Sequence, residues 1–120
     1  MFVGEHGHPY ANFQRALERG NLITAEISAR KLKVISLADA LELTALVASK
    51  ERHRSRRMAA RWLERWLGEA KPPTIEDAAM VAGCLAALGG DAHEIALWSL
   101  RELLAGEVKR PRVMRLAEED

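Results

Sequence analysis

Six arginines and two tryptophans fall within the sixteen residues ERHRSRRMAARWLERW at 51–66. Guanidinium groups can clamp phosphate or carboxylate oxygens, and indole rings can either stack on bases or fill a core. Helical spacing of ~100° per residue puts Arg54, Arg57, Arg61 and Arg65 on one stripe. The same spacing gathers Ala59, Trp62, Leu63, Trp66 and Leu67 on the opposite face. The tryptophans are therefore expected to point into a core, which counts against a base-stacking platform. What remains is a cationic ridge suited to phosphate oxygens or acidic side chains, or else the solvated face of an amphipathic helix. Binding to phosphate would release counterions and so depend strongly on salt. Four arginines near a helix start oppose the helix dipole, so an acidic neighbour is expected, with Glu42 or Glu118–Asp120 in reach of the role.

Other reactive side chains do not assemble. His6 and His8 flank a glycine near the N-terminus without a cysteine or helical partner, and His53 and His93 stand near expected helix starts. Cys84 is the single cysteine, in the middle of an apolar run, where it reads as a small hydrophobe. The acidic runs Glu76–Asp77 and Glu118–Asp120 belong to a helix start and an acidic tail. There is no phosphate-cradling glycine loop, GxSxG or HExxH. The expectation is a protein that is not an enzyme and takes no metal or cofactor.

A second feature concerns association. The stretch AAMVAGCLAALGG at 78–90 carries no charge, and by angle Met80, Val81, Leu85 and Leu88 project in different directions. The next helix spreads Leu97 and Trp98 among other apolar side chains in the same way. A helix apolar all round must be covered all round. Two covers are available: the chain's own later residues Val108, Val113, Met114 and Leu116, or a second copy in an isologous dimer. The expected self-association surface is Met80, Val81, Leu85, Leu88, Leu97 and Trp98.

The elements that must position these residues are marked by caps and breakers. Ser36–Asp39, Thr74–Asp77 and Asp91–Glu94 each set a capping side chain three residues ahead of an acid, before an apolar run. Gly20–Asn21, Lys71–Pro72–Pro73 and Gly89–Gly90 end helices. Helices are predicted at 9–19, 22–32, 36–49, 53–69, 75–88 and 92–105, with no strand. Residues 1–8 read as a flexible N-terminus, 9–106 as one helical domain and 107–120 as an extension. With 120 residues, 48% of them apolar, and a net charge of +1, the chain can bury a core, and any nucleic-acid surface must be a local patch. The N-terminus lacks the pattern of a signal peptide, and the apolar run is shorter than the ~20 residues of a membrane span. A cytoplasmic location is the default.

The helical register also repeats. Ala25, Ala29 and Leu32 recur as Ala59, Leu63 and Trp66 after 34 residues, and as Ala96, Leu100 and Leu103 after 37 more. This resembles the second-helix pattern of tetratricopeptide repeats, in which a small residue admits a close neighbour helix. The first-helix aromatic series of that family is missing, and the 49–54 connection has no glycine. The resemblance, over about 20–105, implies an all-α fold of six helices in three antiparallel hairpins, as a right-handed stack. A compact helical bundle is the other arrangement the elements allow. The expected function is a non-enzymatic adaptor or scaffold that binds a protein partner or its own copy. The alternative is a nucleic-acid-binding or regulatory module built on the arginine ridge.

Overall fold

The computed structural model describes residues 8–69 and 72–109 and is all-α over them. Six helices follow in order: α1 Pro9–Arg19, α2 Leu22–Leu32, α3 Leu37–Lys50, α4 Arg52–Glu69, α5 Ile75–Ala87 and α6 His93–Lys109. The local chemistry of the boundaries explains their positions. Gly20 adopts a left-handed φ of 71° to end α1, and Asn21 then caps α2 by accepting from the Thr24 amide at 3.1 Å. Ser36 and Thr74 cap α3 and α5 by accepting from the Asp39 and Asp77 amides, each at 3.0 Å. Asp91 does not open the last helix as expected. That helix begins two residues later, and the His93 ring nitrogen Nδ1 stands 2.6 Å from the Leu88 carbonyl.

Successive pairs pack together: α1 on α2, α3 on α4, α5 on α6. Beyond the hairpins, α4 packs on α5 and α6 returns to α3. Those four contacts close a ring α3–α4–α5–α6, whose diagonal pairs have no close backbone approach among the described residues. The helices α1 and α2 form a triangle with α3 on its other side. A linear stack of hairpins would instead bring the first helix of each pair, α5, back to α3. The observed return of α6 is that of a bundle.

Two cores correspond to these two groups. The ring encloses Leu41, Ala45 and Ala48 from α3, Ala59, Trp62 and Trp66 from α4, Val81 and Leu85 from α5 with Leu88 just after it, and Ala96, Leu97 and Leu100 from α6. The triangle encloses Phe13, Ala16, Leu22, Ala25, Leu43 and Val47. Leu41, Ala45 and Ala48 repeat at helical spacing on one face of α3, and Leu43 and Val47 on another, so this helix is a wall shared by both cores. Polar ties brace the joints. Trp62 Nε1 donates to the Leu37 carbonyl at 2.9 Å, and Gln14 Nε2 donates to Asp39 at 3.2 Å. Arg101 reaches Glu42 with two bonds of 2.7 Å, joining α6 to α3.

Candidate functional site

The four arginines of the expected ridge separate into two classes. Arg54 of α4 is half-buried and donates to Glu26 of α2 at 2.5 Å and to Glu51 at 2.9 Å. This bidentate grip holds the Glu26 carboxyl below the usual carboxylate range, chiefly through the hydrogen bond, and raises the Arg54 guanidinium further above its ordinary value. Arg65 donates to Glu69 at 2.5 Å and to the Ile35 carbonyl at 2.6 Å. Arg57 and Arg61 are exposed and make no ion pair among the described residues. The stripe is thus half structural and half solvent-facing. Its acidic neighbours are Glu26 and Glu51 at Arg54 and Glu69 at Arg65, while Glu42 is taken by Arg101. Glu118–Asp120 lie outside the described residues.

The expected self-association residues also divide. Val81, Leu85, Leu88 and Leu97 belong to the ring core, between 0% and 8% exposed, and form no outer surface. Met80 and Trp98 are exposed, at 40% and 57%. Cys84 is half-buried with Sγ 4.0 Å from Met80 Sδ, and His53 is exposed. His8 caps nothing with its side chain, and His6 is outside the described residues. Of the residues proposed as cover, Val113, Met114 and Leu116 lie outside the described residues, and α6 runs on through Val108 to Lys109. Neither a group of three or more potential metal ligands nor a helix long and apolar enough to cross a membrane occurs among the described residues.

A concavity lies where the sequence pointed to neither feature alone. It is an open groove of about 500 Å³ along the seam of α4 and α5. Ala59, Ala60 and Leu63 form one wall, and Ala82, Leu85 and Ala86 the other. The small side chains of α5 leave the seam unfilled, and no third helix covers it among the described residues. At one end, Gly89 and Gly90 meet Arg52, Ser55 and Arg56. Gly89 comes so close that a Cβ there would stand 3.2 Å from Ser55 Oγ. Arg52 and Arg56 are exposed and without ion pairs among the described residues, one helical turn apart at the rim.

Sequence reasoning missed this pair. The buried face of α4 is Ser55, Ala59, Trp62 and Trp66, which leaves Leu63 half-buried and Leu67 46% exposed. The core-facing arc is therefore rotated toward α3, away from the centre of the apolar arc. Arg52 and Arg56 share helical spacing with Ala59 and Leu63, and that shared side was the available signal for a mixed cationic and apolar surface. Comparison with family models, curated proteins and solved structures gave no match to the chain.

Proposed function

We propose that this chain is a non-enzymatic helical interaction module that holds a segment of a protein partner in the groove between α4 and α5. The observation that carries the reading is the combination in one concavity of an apolar floor and an arginine-flanked end. Laying an apolar segment into such a groove buries surface at about 25 cal/mol per Å², and the charged end fixes its direction. Exposed apolar side chains elsewhere, Ile95 and Trp98 on α6 and Met80 on α5, offer a second contact area for a copy of the chain or for a larger partner. The tetratricopeptide-like register supports the adaptor reading through the small residues it sets at helix contacts, Ala25, Ala59 and Ala96, all buried. The nucleic-acid alternative retains Arg57 and Arg61 but loses Arg54 and Arg65 to internal partners.

Selection of a displayed library of short linear peptides on the full chain tests the reading, with Ala82→Trp/Ala86→Trp as the filled-groove control. Both alanines are exposed, so the control keeps the core. The expected result is enrichment on the wild-type chain that the filled variant loses. Peptides that bind both proteins equally, or no enrichment, would overturn it. Salt-sensitive binding of duplex DNA or single-stranded RNA that Arg57→Glu/Arg61→Glu abolishes would put the phosphate reading in its place.

A further inference from the structure

The closed end of the α4–α5 groove has the chemistry of a carboxylate receptor. Ser55 is 9% exposed, and its hydroxyl makes no hydrogen bond among the described residues. A helical serine buried to this degree ordinarily bonds the carbonyl one turn back. The Ser55 hydroxyl is not among the fully enclosed polar atoms, so what remains accessible of it opens into the groove that it lines. With Arg52 and Arg56 lining the same end, the corner offers one hydroxyl and two cationic donors, and the lining has no acidic side chain among the described residues. A ligand that satisfies the whole groove has apolar side chains over Ala60, Leu63, Ala82 and Ala86, followed by carboxylates at the Gly89 end.

Residues 113–120 of the chain, VMRLAEED, have that order: apolar first, then three consecutive acids. They follow α6, which packs on α5 and runs back from the Gly89–Gly90 turn, so the segment departs from the end of the hairpin remote from Gly89. The α4 wall from Leu63 to Arg52 is about 17 Å long at ~1.5 Å per residue. Extended chain from Met114 to Asp120 spans about 20 Å at ~3.3 Å per residue. The period of two in an extended segment would put Met114, Leu116, Glu118 and Asp120 on one side.

We propose that the α4–α5 groove binds residues 113–120 of its own chain, with Met114 and Leu116 on the apolar floor and the Glu118–Asp120 carboxylates on Arg52, Arg56 and Ser55. The inference rests on the reading of the groove as a peptide-docking site. It makes the module self-occupied, so that a partner segment gains access by competing with an internal ligand of the same chemistry.

The test uses the full chain carrying Arg52→Lys/Arg56→Lys, which preserves the charges and supplies amines. A zero-length carbodiimide joins an amine to a carboxylate only when the two are in contact. The reaction is run on an equal mixture of light and 15N-labelled protein, and the joined peptides are mapped by mass. The expected product links the introduced amines to Glu118, Glu119 or Asp120 with no mixed light–heavy form. Its yield should exceed several-fold that of Arg57→Lys/Arg61→Lys, whose positions lie off the groove, and it should fall several-fold with added Ser55→Ala. Light–heavy products in the statistical share expected of random pairing would overturn the proposal in favour of a second copy, and equal yields at the two lysine pairs would overturn it outright. Should peptides from the library occupy the groove while the cis linkage is missing, this inference fails and the docking function stands.

Discussion

Helices α3 and α5 are nearly equal in length, at 14 and 13 residues, and both are rich in alanine and poor in charge. The longest uncharged stretch belongs to α5, yet the helix enclosed on most sides is α3. Leu41, Leu43, Thr44, Ala45, Val47 and Ala48 are all buried there, against Val81 and Leu85 within α5. The difference comes from position in the topology. Among the described residues, α3 packs on four other helices and divides two cores, while α5 packs on α4 and α6 alone. Composition makes a helix tolerant of burial on any side, but the number of neighbours decides how many sides are buried. The small residues of α3 let helices approach closely, and the small residues of α5 leave a groove.

Breaking the enclosed side should cost most. Trp66→Ala in the ring core is expected to destabilise by about 3–5 kcal/mol in denaturant unfolding, since its side chain is fully buried. Leu43→Ala, across α3 in the triangle, should cost about 2–5 kcal/mol. Because α3 serves both cores, this second substitution should shift the unfolding midpoint seen by tryptophan fluorescence as far as that seen by circular dichroism. All three tryptophans lie in the ring, so separate midpoints would show that the two cores unfold independently.

A matched enlargement sharpens the contrast. Ala45→Leu overpacks α3 and should cost about 1–3 kcal/mol, whereas Ala82→Leu enters the open groove and should change stability by about 0.5 kcal/mol or less. Equal effects at the two positions would remove the distinction between the helices.

The smaller expected effects concern the charges that join α2 to α4. Glu26→Gln should cost about 1 kcal/mol near neutral pH, a partly exposed pair being worth little more. Since the folded state holds the Glu26 carboxyl below its ordinary range, its contribution is present above the unfolded value and lost as pH falls through the lower folded value. Stability measured from neutral to acid pH should therefore decline less steeply in Glu26→Gln than in the wild-type chain. Arg61→Gln, at an exposed arginine without an ion pair among the described residues, should be neutral within about 0.5 kcal/mol.

The helix boundaries were legible because they are written in local chemistry. Ser36 and Thr74 announce α3 and α5 by the oxygen that their opening amides need, and Gly20 ends α1 where a left-handed residue is required. The burial of Trp62 and Trp66 could be read from spacing. The long-range pairing of the arginines could not. Arg54 depends on Glu26, 28 positions away, and Arg65 on the backbone at Ile35, 30 positions away. Neither partner shares a helix with its arginine, so no periodicity connects them.

Sequence alone determined that this chain forms six helices with apolar faces, because capping, breakers and helical period act over a few residues and leave their marks in order. Only the tertiary structure decided that α6, not α5, returns to α3, and so which apolar helix is enclosed and which seam stays open. That choice depends on how helices distant in the chain share neighbours, and helical period is silent on it. Arg52 and Arg56 owe their place beside Ser55 and Gly89 to the same closure, which sets the end of α5 against the start of α4.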